Sequence, residues 1–383
     1  MLLSSALLAL PLASVTEAAP QRIIVDTDMG FDVDDVGAVC LANSLHAAGL
    51  AEVLAVVHNT GCTLGIGGVS AMNHFYGNDD ILLGAWKGRF GENCDKHYEG
   101  TLGQNQYLAT VIRKTGGPFK NASMVMTGTD AYRKALASAP DGSVNVASIG
   151  MPTNLRDLLN TTADQFSPLN GIDLVAKKIR KVVFMDGGYN FGCAAGNIGP
   201  AYDCEGGAMV TLKRMPPSVR MVFSNKGSSP PIYTGKGMQK SHPASSPCRE
   251  AYKHWCCNPN GEDGTHGRLS WDPITVMIAA LDVGSVYEKE TDYGTQVTAD
   301  EAGRESFFGN GTMNARTDFN ISAADAVTKI SAAIDHYLNM VPPSVVNFAT
   351  DDADVASSSQ LSDRLDALNL GRSIHEAKTF SVG

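Results

Sequence analysis

Short apolar runs alternate along the chain with stretches whose apolar residues recur at helical spacing. Runs at 22–25, 52–57, 81–83, 145–149, 181–185 and 219–223 predict strands. Residues 34–48 carry Val36, Val39, Cys40 and Leu45 on one helical face, and further helices are expected over 67–76, 273–281 and 323–340. Strands alternating with helices predict an α/β fold with a mainly parallel central sheet, helices on both its faces, in a single large domain. In such sheets ligands bind beyond the carboxyl ends of the strands, so the residues just after each strand matter most.

The two chain ends break the pattern. Residues 1–12 are almost wholly apolar and are followed by small residues, which predicts a signal peptide over 1–19, although no Lys or Arg precedes the run. The main domain is expected over 20–342. A C-terminal extension follows at 343–383, opening with an acidic and Ser-rich linker and ending in a Leu-containing helical pattern. Secretion is supported by Asn-x-Ser/Thr sequons at Asn121, Asn160, Asn310 and Asn320. The even count of 8 cysteines suits the same oxidising compartment. Cys193 with Cys204, and Cys248 with the Cys256-Cys257 pair, are close enough for local bridges; Cys62 with Cys94 is a third candidate, and Cys40 reads as a buried thiol. No segment after the leader is apolar for long enough to span a membrane. Forty acidic residues against 30 basic ones give a net charge of −10, which repels nucleic-acid polymers.

The candidate chemistry follows the first strand. Asp26-Thr27-Asp28-Met29-Gly30-Phe31-Asp32-Val33-Asp34-Asp35 places its carboxylates between an apolar strand and an apolar helix. An exposed acidic run needs no explanation beyond solvation. Carboxylates converging at an element junction repel one another and call for a cation, and their hard oxygens favour Ca²⁺ or Mg²⁺. An EF-hand loop is excluded because Phe31 stands where that loop needs glycine.

The turn resembles the signature of the nucleoside hydrolases, strand-Asp-x-Asp-Pro-Gly-x-Asp-Asp. Asp26, Asp28, Gly30, Asp34 and Asp35 fit, Met29 replaces the Pro, and two extra residues precede the Asp pair. The resemblance runs in order over about 21–342. Val56-Val57-His58-Asn59-Thr60 is similar to the family's Asn-containing turn, and Gly150-Met151-Pro152-Thr153-Asn154-Leu155 to its Gly-Pro-Leu-Thr-Asn-Leu segment. Met185-Asp186-Gly187-Gly188 is similar to its Met-Gly-Gly turn, Asp203-Cys204-Glu205 to its Glu-x-Asn, and Trp271-Asp272-Pro273 to its His-Asp-Pro.

The resemblance implies one Ca²⁺ held by Asp28, Asp35, the main-chain carbonyl of Thr153 and Asp272, with Asp28 as the base for water. Asp34, Asn59, Asp203, Glu205 and Trp271 would contact substrate, a small-molecule nucleoside. Carboxylates below the sugar would stabilise an oxocarbenium-like transition state. Where the family often has a His to protonate the departing base, Trp271 cannot act as an acid. It either stacks on the base or is an ordinary half-buried tryptophan. His58 reads as a packed histidine, whereas His97, His254 and His266 fall in polar loops.

Two function classes stay open. One is a secreted nucleosidase that releases base and ribose. The other is a metal-dependent ribosyl-compound binding protein, or a weak hydrolase with impaired leaving-group protonation. A homo-oligomer is compatible with either.

Overall fold

The computed structural model describes residues 19–30, 32–89, 106–185, 207–224, 231–255, 266–281, 289–290, 296–299, 305–308, 314–318 and 323–342. The expected leader and C-terminal extension lie essentially outside these residues. The strands are β1 (Gln21–Thr27), β2 (Ala51–His58), β3 (Leu82–Ala85), β4 (Met126–Thr127), β5 (Val144–Ser148), β6 (Ile179–Phe184), β7 (Arg220–Phe223), β8 (Tyr233–Thr234), β9 (Arg268–Leu269), β10 (Lys289–Glu290), β11 (Gln296–Ala299), β12 (Glu305–Phe308) and β13 (Asn314–Asp318). The helices are α1 (Asp34–Ala47), α2 (Gly65–Tyr76), α3 (Gln106–Thr115), α4 (Gly128–Ser138), α5 (Thr153–Leu159), α6 (Gly171–Lys178), α7 (Gly207–Arg214), α8 (Met238–Ser241), α9 (Pro247–His254), α10 (Trp271–Leu281) and α11 (Ala323–Leu338).

The central sheet has 9 strands in the order β10-β13-β7-β6-β5-β1-β2-β3-β4. Every pairing in it is parallel except that of β10 with β13. The predicted parallel α/β sheet is therefore present, because apolar runs such as Ile23-Ile24-Val25 can bury both faces. Ile23 and Val25 belong to the core beneath α1, α2 and α10, whereas Ile24 belongs to the opposite core beneath α4, α5 and α6.

Helix α1 is buried from Asp34 through Leu45, so it is a central helix rather than an amphipathic surface one. It packs against α2, α10 and α11, while α10 also lies across β1, β5 and β6. From β1 the chain moves outward through β2, β3 and β4, then returns to place β5 on the other side of β1. The strand order reverses there, and the crevice between β1 and β5 is the topological switch point.

The cysteine pairing corrects two expectations. Cys40 is not a thiol: it is bonded to Cys248, with Cα atoms 6.3 Å apart and a sequence separation of 208. That bridge joins α1 to α9 and removes the local pairing of Cys248 with Cys256-Cys257. Both errors come from reading proximity along the chain, whereas the bond depends on α9 packing against α1. Cys62 is disulfide-bonded as well. Cys94, Cys193, Cys204, Cys256 and Cys257 lie outside the described residues.

Candidate functional site

The carboxyl ends of β1, β2 and β5 converge at the switch point, where Thr27 pairs with His58 and Asp26 with Ser148. Asp26 is the buried pin of this corner. Its Oδ1 accepts hydrogen bonds from Asn59 Nδ2 at 3.1 Å and Asn154 Nδ2 at 3.0 Å, and its Oδ2 accepts from the Tyr132 hydroxyl at 2.8 Å. Burial pushes its pKa up to about 7; the hydrogen bonds from Asn154, Tyr132 and Asn59 oppose that rise, and the nearby Asp28 charge adds to it. Three chain segments are thereby tied to one carboxyl.

The turn that follows is shaped by its own backbone. Met29 N donates to Thr27 Oγ1 at 3.2 Å, and the Thr27 hydroxyl donates to Asp35. Asp28 is half-buried and lies against Gly150 just beyond β5. A Cβ at Gly150 would sit 2.7 Å from the Asp28 Oδ1 and 2.6 Å from Asn59 Nδ2. Only glycine lets these two segments approach so closely.

Asp34 and Asp35 open α1 and Asp272 sits in the first turn of α10, so the packing of the two helices brings the three carboxyls together. All three are buried, with ligand oxygens within 4.8 Å of one another. Burial, then the charges of Asp28 and Asp34, push the Asp35 pKa well above the usual carboxylate range. Three buried carboxylates with all-oxygen ligand atoms gathered at one point fit a hard divalent cation, which would neutralise them. The helix N-termini help by favouring negative charge, but they do not separate the acids.

The sequence-predicted residues fall as follows. Asp35 and Asp272 are in the buried triple. Asp34, expected to meet ribose, is in it too, while Asp28 stands beside it as the largest single charge acting on Asp35. Thr153 begins α5 and its hydroxyl donates to the Asn59 carbonyl at 2.5 Å, which fixes α5 against β2. Asn59 bridges the corner: it donates to Asp26 and accepts from Met151 N at 3.2 Å. Its amide keeps a second N–H and a second lone pair. Asp203 and Glu205 lie outside the described residues, as do Asp186 to Gly188.

Trp271 is the half-buried first residue of α10. The Arg268 guanidinium carbon stands 5.1 Å from its ring centroid and 4.8 Å from that of Trp255. The same guanidinium forms an ion pair with Asp32, with Nε 2.9 and 3.1 Å from the two carboxylate oxygens. Burial works against the Arg268 charge, but the Asp32 and Asp34 carboxylates outweigh it and raise its pKa. His58 is fully buried, with Nε2 2.9 Å from the Met29 carbonyl and Nδ1 3.1 Å from that of Thr60; burial lowers its pKa. It is the packed histidine expected. His254 belongs to α9 rather than a loop and is held by Glu250 and Lys114. His266 is exposed, and His97 lies outside the described residues.

Sequence reading missed Tyr132, Asn154 as a ligand of Asp26, and Arg268. Asn154 stood inside a quoted motif and could have been found. Tyr132 and Arg268 are 106 and 236 positions from the acids they contact, with no local signal.

No family profile and no curated protein sequence matches this chain. Solved structures do. It is similar to an inosine-uridine preferring nucleoside hydrolase from Bacillus anthracis, with 12% identity over 83% of this chain and 99% of that one and a TM-score of 0.55. It is similar to an inosine-guanosine nucleoside hydrolase, with 15% identity over 83% of this chain and 97% of that one and a TM-score of 0.54. It is also similar to the type III effector protein XopQ complexed with adenosine diphosphate ribose, with 15% identity over 84% of this chain and 94% of that one and a TM-score of 0.54. The chain has the nucleoside hydrolase fold, with its acidic corner at the switch point of the sheet.

Proposed function

We propose that this protein is a secreted, Ca²⁺-dependent nucleoside hydrolase that cleaves the N-glycosidic bond of ribonucleosides to give free base and ribose. The observation that carries this reading is the buried convergence of Asp34, Asp35 and Asp272 at the switch point of this fold. When bound, the cation would supply coordination places for ribose hydroxyls and acidify a nearby water. Asp35 and Asp272 would hold it, with Asp28 and the Thr153 carbonyl completing the protein share.

Asp28, less buried than its neighbours, would take a proton from attacking water. The remaining carboxylates, Asp34 among them, face the positive charge that develops on the sugar as the bond to the base lengthens. Asp26 and Asn59 act through position, holding β1, β2 and the Gly150 turn in one register. Asp203 and Glu205 would contact the sugar. No acid stands at Trp271, so the leaving base departs with little protonation. A base stacked on Trp271 would lie on the ring face opposite Arg268.

A second reading is a ribosyl-compound binding protein, favoured by Trp271 in the acid's position and by the fold likeness to a protein complexed with adenosine diphosphate ribose. Asp28→Asn and Thr153→Ser separate the readings when assayed on a panel of nucleosides with ribose release as readout. Hydrolysis predicts that D28N loses turnover and that T153S, which keeps its hydroxyl and carbonyl, stays close to the parent. Binding of ribosyl compounds with no ribose released by the parent protein supports the second reading instead.

A further inference from the structure

The acidic loop is two residues longer than the motif it resembles, and one of its residues, Asp32, is not among the proposed cation ligands. Asp32 is fixed within its own segment, because its Oδ1 accepts from Val33 N at 2.6 Å and its carbonyl accepts from the Tyr107 hydroxyl at 2.8 Å. Its carboxylate reaches across to Arg268, four positions before Asp272. Arg268 is equally fixed: it lies in β9, paired with β8, and Ser270 N beyond it donates to the Ile232 carbonyl at 2.9 Å. Trp255 and Trp271 hold the guanidinium plane on their rings. The pair therefore joins the two segments that supply the carboxylates, Asp28, Asp34 and Asp35 from one and Asp272 from the other.

We propose that Arg268 is a positioning residue which, by clamping Asp32, sets the spacing between Asp272 and the β1–α1 acids and so raises the protein's affinity for the cation. This inference rests on the cation-centre reading above. It has an opposite in elementary electrostatics. Arg268 is a positive charge near a cation site, so if it acted only through its charge, removing it would tighten cation binding. If it acts through position, removing it weakens binding, because partners behind the ligands typically contribute about 10- to 100-fold to affinity. The two accounts differ in sign.

The test is isothermal titration of Ca²⁺ into the chelator-stripped full chain, for the parent protein, Arg268→Gln, Arg268→Lys and the double variant Asp32→Asn with Arg268→Gln. Positioning predicts that all three variants bind Ca²⁺ about tenfold more weakly. Charge alone predicts tighter binding by R268Q, parent-like binding by R268K, and parent-like binding by the double variant, whose net charge is unchanged. Parent-like or tighter binding in R268Q and the double variant would overturn the proposal. R268K keeps the charge but loses the planar fork, and it decides the matter if R268Q does not fold. No Ca²⁺ binding by the parent protein would overturn the cation-centre reading itself, a result distinct from parent-like variants.

Discussion

Asp26→Asn makes the buried corner measurable. The Asp26 pKa rises from 3.8 to about 7 in the folded protein. Between those values the unfolded chain has lost its proton and the folded one has kept it, so the unfolded state binds fewer protons and stability falls as pH rises. The contribution is fully present below about pH 4 and is lost by about pH 7. At about 1.4 kcal/mol per unit, the interval amounts to about 4 kcal/mol. Asparagine is nearly isosteric and carries no charge. Its oxygen can accept from Asn59 and Asn154, and its amino group can donate to the Tyr132 oxygen, since a phenol accepts as well as donates. D26N should match the parent near pH 4 and exceed it by up to about 4 kcal/mol at pH 8. Urea unfolding of both proteins from pH 4 to pH 8 in chelator, so that no cation alters the balance, gives the difference directly. A constant offset between the curves across that range would refute the reasoning, because it would mean that Asp26 ionises equally easily in both states.

Three other outcomes follow from the same geometry. Gly150→Ala must displace Asp28 or Asn59, which a Cβ would approach to 2.7 and 2.6 Å; kcat/KM should fall by about tenfold or more while stability drops by about 1–3 kcal/mol, and an unchanged kcat/KM would place Asp28 outside the reaction. Replacing Cys40 and Cys248 together by alanine opens a link spanning 208 positions and should cost about 2–5 kcal/mol in urea unfolding, whereas a loss below about 1 kcal/mol would show that α1 and α9 need no bridge. With no acid at Trp271, a nitrophenyl riboside should be cleaved far faster than inosine or uridine; comparable rates, with a bell-shaped pH profile abolished by one His→Ala change, would assign the acid to a histidine.

The parallel sheet was legible because strands buried on both faces carry continuous apolar runs, as in Ile23-Ile24-Val25 of β1 and Val182-Val183-Phe184 of β6. The acidic turn was legible for the complementary reason, since charges between two apolar elements violate the pattern of an exposed loop. Helices α3 to α9 were not foreseen. Thr127, Asn170 and Ser246 cap α4, α6 and α9 through their side chains, but such signals are common outside helices. Within the site, the resemblance put Asp35 and Asp272 in one set but assigned Asp34 to the sugar instead. Asp34 joins the buried triple because α1 packs against α10 with the first turns of both helices together, a fact of packing rather than spacing. The contacts of Asp26 with Tyr132, Asp32 with Arg268 and Cys40 with Cys248 are likewise tertiary, and no local pattern encodes them.

The central claim is that the acids gathered at the switch point hold a cation and that this centre hydrolyses nucleosides. Incubating the purified protein with inosine and with uridine, then quantifying free base and ribose before chelation, after chelation and after Ca²⁺ is restored, tests it most directly. The account predicts equal amounts of base and ribose, loss of both on chelation, and recovery with Ca²⁺. Release that persists unchanged in chelator, or no release from any nucleoside by the Ca²⁺-loaded protein, would contradict it.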